Sequence, residues 1–272
     1  MSVFAPRTKR GKGAEMAISE RELSQLTREL DELHESTFPQ ACKAIDELAA
    51  NFATVVRQPS TRRGFFLGAA GAVALGAAAA CSSRPSGPAA SSTVAAPPPT
   101  PPETYPGDLK LVAVATALEN LAVSAYEGAL KKAGAGELGA VPPAVATFVQ
   151  TAMKQHADHA QAWSTVLSRA GKPPISDAPL SITQDQMAKL AAVKSVPDMA
   201  KFALDLENVA AQTYTFAVAN VSDPSAIMTA ATIQPVETMH AAILNFILGE
   251  YPIPDTVIGI GNALKPDNLT VK

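Results

Sequence analysis

The stretch that decides the fold is Pro235-Val236-Glu237-Thr238-Met239-His240, which lies inside an apolar helical pattern running from Ala226 to Leu248. On a helix, Glu237 and His240 are three residues apart, so their side chains share one face, about 60° from each other. A carboxylate and an imidazole placed in this way can bind the same metal ion. The stretch therefore predicts part of a metal site, and the remaining ligands must come from other helices.

Composition limits the class of protein. The chain has 272 residues, of which 47% are hydrophobic and only 5% aromatic, and this mix favours alanine-rich helices that pack closely. The net charge is −3, and no basic block follows the first dozen residues, which argues against a nucleic-acid partner. Two cysteines, Cys42 and Cys81, exclude a disulfide framework.

Four long helices are predicted in the second half of the chain. Apolar periodicity, prolines at helix starts and glycines after helix ends place them at about 108–132, 142–171, 197–220 and 224–249. The second and third are joined by a long segment that carries one short helix, and Pro235 is expected to kink the fourth. Two short connections and one long one predict an all-α four-helix bundle with one long crossover connection.

The two halves of this bundle repeat one pattern. Leu-Glu-Asn occurs at 118–120 and again at 206–208, and a pair spaced by three residues and ending in His follows each time. The repeated residues are Glu119, His156, His159, Glu207, Glu237 and His240. Because an ionised carboxylate in an apolar core is costly unless it is paired or bound to metal, the repeat predicts a metal site. The alternatives are surface positions for the glutamates and core imidazoles with other partners for the histidines.

A tyrosine follows each lone glutamate by seven residues. Tyr126 and Tyr214 therefore lie about 20° from Glu119 and Glu207 on their helices, two turns further on. Either tyrosine could donate a hydrogen bond to a ligand carboxylate. The alternative is a core tyrosine whose hydroxyl is satisfied elsewhere.

In these motifs the chain resembles the ferritin-like superfamily, whose pattern is Glu, Glu-x-x-His, Glu, Glu-x-x-His on four successive helices. The match covers residues 108–249 and is closest to exported bacterial ferritin-like proteins with a twin-arginine signal. The resemblance implies that the metal ligands are Glu119, His159, Glu207, Glu237 and His240. It also implies iron as the favoured ion, with manganese or zinc as alternatives.

One position departs from that family pattern. His156 stands where the family has a glutamate, and a neutral imidazole binds one metal whereas a carboxylate can bridge two. Three carboxylates around two divalent ions would leave a net positive charge. The sequence therefore leaves three kinds of site open: a single metal ion, an asymmetric pair of ions, or a bridged di-iron centre.

Residues 60–81 are typical of an export signal. Arg62 and Arg63 precede a Phe-Phe-Leu sequence and a short alanine- and glycine-rich run, as in a twin-arginine signal. The run ends in small residues before Cys81, which resembles a bacterial lipobox. A plain cleaved signal or a short uncleaved anchor are the alternatives. The proline-rich segment 82–106 is expected to be an extended tether.

The segment before the signal, residues 1–59, is predicted to be a partly helical extension that stays cytoplasmic or is removed with the signal, unless the start codon is misassigned. A leucine stripe runs through 23, 26, 30 and 33, and Pro39 is expected to divide the segment into two helices. His34, among acidic residues, is interpreted as a solvated side chain. Residues 107–250 would then form the bundle, and 251–272 an irregular tail.

Together these features predict an exported metal-binding protein on the outer face of the bacterial cytoplasmic membrane. Its partners would be the membrane, through a lipid on Cys81, and the twin-arginine export machinery. No nucleic-acid partner is expected, and a homodimer is left open. Metal-dependent oxidoreductase activity is left open. The alternatives are an envelope lipoprotein that uses the bundle as an interaction scaffold without metal, and a storage cage, which a tether and anchor would disfavour.

Overall fold

The structure is a computed structural model that describes residues 18–57, 104–255 and 257–271. In these ranges the helices are α1 (Glu20–Arg57), α2 (Asp108–Gly134), α3 (Pro143–Arg169), α4 (Thr183–Ala192), α5 (Val196–Asn220) and α6 (Pro224–Leu248). A short 3₁₀ turn, Pro266–Asn268, lies in the C-terminal tail. The all-α prediction is confirmed.

Helices α2, α3, α5 and α6 form the bundle. Helix α2 packs on α3, α5 packs on α6, and the two pairs meet mainly where α2 contacts α5. Side-chain caps begin two of these helices: Ser195 Oγ accepts a hydrogen bond from the amide of Asp198, and Asp223 Oδ1 accepts from the amides that follow it. Helix α6 continues through Pro235 and ends at Gly249, whose φ of 81° is the left-handed conformation that glycine adopts most easily.

The long crossover joins α3 to α5 and carries α4. Helix α4 lies against α2, where Leu190 approaches Gly128 so closely that a Cβ there would stand 2.6 Å from a leucine methyl carbon. Helix α2 is the one described helix long and apolar enough to cross a membrane, but 78% of its apolar window is buried within the protein. It is therefore explained as a core helix of the bundle.

Helix α1 differs from the prediction. It is a single helix of 38 residues that contains Pro39, where two helices were expected. It packs against α3 and α6, and its buried Leu23, Leu30 and Leu48 belong to the same hydrophobic core as the bundle. A proline inside a helix costs about 3 kcal/mol or more, and burial of this long apolar face offsets that cost.

Several predictions fall outside the described residues. The twin-arginine pair Arg62 and Arg63, the lipidation site Cys81 and almost all of the tether 82–106 lie in residues 58–103. They stay predictions, as does the division of the chain into the five segments given above.

Candidate metal centre

The six repeated Glu and His residues meet in the middle of the bundle. Glu119 comes from α2, the two histidines of α3 face it, Glu207 comes from α5, and α6 supplies Glu237 and His240. Each of the six is at most 1% exposed. The interpretation of these glutamates as surface residues is therefore wrong, although their role as metal ligands stays a prediction.

The ligand atoms fall into two overlapping groups of four. One group is formed by Glu119, His156, His159 and Glu237, and the other by His156, Glu207, Glu237 and His240. Within each group the candidate ligand atoms lie within 4.8 Å of one another. We call these groups the first and second half-sites, and they share His156 and Glu237.

The ring of His156 spans the two half-sites. Its Nδ1 lies 2.7 Å from Glu119 Oε2, and its Nε2 lies 3.2 Å from Glu207 Oε1. This is the position where the family pattern has a carboxylate. One neutral imidazole offers a single lone pair, so His156 can serve one half-site as a neutral ligand, and the two half-sites are not equivalent.

Glu237 faces the histidines without making a hydrogen bond. Its Oε1 lies 3.1 Å from His159 Nδ1 and its Oε2 lies 3.6 Å from His240 Nδ1, but neither oxygen has a hydrogen-bond partner. His159 Nδ1 is likewise buried without a partner. Buried polar atoms of this kind are rare, because the lost hydration is not replaced. A cation held between these atoms would satisfy them, so the residues fit a metal ion.

Opposite charges outweigh burial in setting the ionisation of the centre. Burial opposes the charge on Glu119, but His159 and hydrogen bonds from His156 lower its pKa to about 2. Burial also opposes charge on the imidazoles, yet Glu119 raises the pKa of His159 to about 9, and Glu237 and Glu207 raise the pKa of His156 well above its ordinary value. Without metal, the carboxylates and imidazoles therefore neutralise one another.

The two tyrosines connect the halves of the bundle. Tyr126 of α2 donates to Glu207 of α5, and Tyr214 of α5 donates to Glu119 of α2. Burial raises the pKa of both hydroxyls well above its ordinary value, as do the facing carboxylates, so both stay protonated donors. The structure thus places each tyrosine against a candidate ligand carboxylate, but that carboxylate belongs to the facing helix. Trp163 Nε1 donates in turn to Tyr214 Oη at 2.9 Å.

Helix α1 brings residues to the centre that the sequence did not indicate. His34, interpreted from the sequence as solvated, is 2% exposed, and its Nε2 lies 3.3 Å from His159 Nε2. Burial, followed by the charge of the neighbouring His159, lowers the pKa of His34 to about 4. On α3, Gln155 Oε1 lies 2.9 Å from His240 Nε2, and Gln155 Nε2 donates to Asp31 Oδ1 at 3.2 Å. The solvated interpretation failed because it took α1 to be separate from the bundle.

Comparison with known proteins assigns the family. Residues 107–250 match the model of the ferritin-like domain, which is more than half of the chain. The chain therefore belongs to the ferritin-like family, and the fold and the buried Glu/His cluster are those of a ferritin-like bundle compatible with metal binding. No curated protein and no solved structure matches the chain.

Proposed function

We propose that this chain is an exported, membrane-anchored ferritin-like protein that binds transition-metal ions at the two half-sites. The observation that carries the metal-binding part is the set of buried atoms without partners, the two oxygens of Glu237 and Nδ1 of His159, at the point where four helices converge. Carboxylate oxygens and imidazole nitrogens are ligands for iron, manganese and zinc. Iron is the proposed ion because of the family membership.

The candidate ligands are distributed over the two half-sites. Glu119 and His159 would complete the first half-site, Glu207 and His240 the second, and Glu237 offers an oxygen to each. Bound iron would supply one-electron redox chemistry. The chain's own contribution is to orient the carboxylates through Tyr126 and Tyr214 and to exclude bulk water from a centre that is almost fully buried.

Metal analysis tests this proposal. The purified full chain should carry metal by elemental analysis, and stripping it with a chelator should lower the midpoint of thermal unfolding. At a metal concentration 100 times the Kd, binding adds about 2.7 kcal/mol, which corresponds to roughly 5–10 °C for a chain of this size. Re-addition of Fe²⁺, Mn²⁺ or Zn²⁺ should restore the midpoint, and comparing the three identifies the preferred ion.

The alternative function is a scaffold for protein contacts that needs no metal. The packing of α1 onto the bundle shows that one bundle face accepts an additional helix. A scaffold predicts that the chain is purified without metal and that the chelator leaves the unfolding midpoint unchanged. Such a result would replace the metal proposal with this one.

The export and anchoring part of the proposal is supported by the sequence of residues 60–81 alone. Replacing both Arg62 and Arg63 with lysine should keep the protein in the cytoplasm, because it removes the twin-arginine feature while it keeps the charge. Cys81→Ser should release the exported protein from the membrane fraction. Fractionation that finds both variants distributed like the unaltered chain would reject the twin-arginine lipoprotein assignment.

A further inference from the structure

Helix α1 is linked to one histidine of each half-site, directly to His159 and through Gln155 of α3 to His240. The Nε2 atoms of His34 and His159 are 3.3 Å apart, within hydrogen-bond distance. The stacked ring of Phe38, with centroids 4.7 Å apart, supports the His34 imidazole. Because the Nδ1 of His159 faces Glu119 and Glu237, its Nε2 is the atom left for an outer partner.

The second contact runs through a glutamine. Asp31 Oδ1 is a carboxylate oxygen, so it can only accept, and it receives the Nε2 amide group of Gln155. This fixes the orientation of the fully buried amide, and Gln155 Oε1 must then accept the proton of His240 Nε2. The lone pair of His240 is left on Nδ1, which lies 3.2 Å from Glu207 Oε2.

We propose that α1 is a positioning element of the metal centre: His34 directly, and Asp31 through Gln155, hold the Nε2 protons of His159 and His240 so that both histidines present Nδ1 to the metal. The inference rests on the proposed metal binding. It assigns a function to the N-terminal segment that the ferritin-like domain match, residues 107–250, does not cover.

Further polar contacts join α1 to the helices of the bundle. Asp46 forms an ion pair with Arg169 at the C-terminal end of α3, with 2.6 Å between Oδ1 and Nη1. Asn51 donates to Asp223, the residue that caps α6, at 3.0 Å. Helix α1 thus packs on α3 and α6, the helices that carry His159 and His240.

The test measures zinc binding to the metal-stripped full chain, with Zn²⁺ as a diamagnetic probe. His34→Leu should lower zinc affinity roughly 10–100-fold, as the loss of an outer partner of a histidine ligand does. Asp31→Leu acts through Gln155, so it should lower zinc affinity in the same direction but by less. His34→Gln should recover most of that affinity, because the glutamine oxygen can accept from His159 Nε2. Glu35→Leu, an exposed neighbour on α1, is the matched control and should stay within about 2-fold of the unaltered chain.

Nitrogen-15 NMR of the zinc-bound chain reads the proton positions directly. In the unaltered chain, His159 and His240 should carry the proton on Nε2 and bind zinc through Nδ1. In Asp31→Leu the Gln155 amide is free to turn, so the Nε2 proton signal of His240 should weaken while that of His159 remains. A lost fold would instead remove both signals, and circular dichroism would report it.

Three results would overturn the inference. Zinc bound through Nε2 would contradict the assigned proton positions. Equal zinc affinity in His34→Leu, Asp31→Leu and Glu35→Leu would remove the positioning role while the metal site itself stands. No zinc binding by the unaltered chain, with iron and manganese also failing, would reject the proposed function and this inference together.

Discussion

Replacing Glu237 with glutamine should abolish metal binding in both half-sites at once. Glu237 is the one carboxylate shared by the two groups, and both of its oxygens are buried without a hydrogen bond. Glutamine has nearly the same volume but no charge, and it offers one oxygen where the carboxylate offers two. Because loss of an outer partner already costs about 10–100-fold in affinity, we expect a loss of more than roughly 100-fold here.

Glu119→Gln and Glu207→Gln separate this effect from general damage. Each removes a carboxylate from one half-site only, so each should reduce the metal bound per chain without abolishing it. Asp205→Asn is the matched control, since it makes the same charge change at an exposed position two residues before Glu207. Elemental analysis and competition titration measure all four variants. If Glu237→Gln keeps the metal content of Asp205→Asn, the proposed centre is wrong.

The metal-free protein should lose stability as the pH rises from about 6.5 to 9. The pKa of His159 is raised from 6.5 to about 9 in the folded chain, so its contribution is complete below pH 6.5 and is lost through pH 9. The pKa of Glu119 is lowered from 4.5 to about 2, so its contribution is complete above pH 4.5 and is lost as the pH falls towards 2. Burial lowers the pKa of His34 from 6.5 to about 4, so its contribution is lost as the pH falls from 6.5 towards 4, and maximum stability is therefore expected near pH 6.5.

The expected loss on the alkaline side is large for a single group. The shift of His159 corresponds to a free energy of unfolding on the order of 3 kcal/mol, or roughly 10 °C in the unfolding midpoint. Calorimetry in the presence of chelator at pH 5.5 and pH 9 measures it. The zinc-loaded chain is the comparison, and its midpoint should not fall in this range, because metal competes with protons for the imidazoles. A metal-free midpoint that rises from pH 5.5 to pH 9 would contradict the charge pairing described for the centre.

The buried Glu/His cluster could be predicted from the sequence because its signal is local and repeated. Glu237 and His240 share a helix face by their spacing alone, and the same holds for His156 and His159. Glu119 and Glu207 occupy equivalent positions in the two repeats, and they predicted the carboxylates that face these pairs. The number and length of the connections predicted how the four helices would assemble, so local periodicity was sufficient for both fold and cluster.

The role of α1 could not be predicted because it depends on contacts distant in sequence. The predicted stripe comprised Leu23, Leu26, Leu30 and Leu33, and the structure buries Leu23 and Leu30 but leaves Leu33 50% exposed. The buried stripe keeps Leu23 and Leu30 but contains Thr27 and His34 in place of Leu26 and Leu33, and this puts His34 on the buried face. Both stripes fit a helical period. Only the packing of α1 onto α3 and α6 decides between them.

The hydrogen-bond partners of the two tyrosines also could not be predicted from the sequence. Spacing placed Tyr126 on the face of its own Glu119, two turns away, whereas its hydroxyl reaches Glu207 on the facing helix. A seven-residue spacing fixes the direction of a side chain but not the neighbouring helix that it meets. The crossed pairing is reciprocal, because Tyr214 likewise reaches Glu119, and it depends on how the two halves of the bundle pack together.

The position of α1 in the chain determines whether the helix is retained after cleavage of the export signal. The helix ends at Arg57, upstream of the predicted cleavage point at Cys81. In the intact chain the covalent link makes the association of α1 with the bundle intramolecular. A cut before Cys81 would turn that intramolecular association into a bimolecular one, subject to dilution outside the cell. Maturation would then be irreversible, and by the role inferred for α1 the released bundle would hold its ion less tightly than the intact chain.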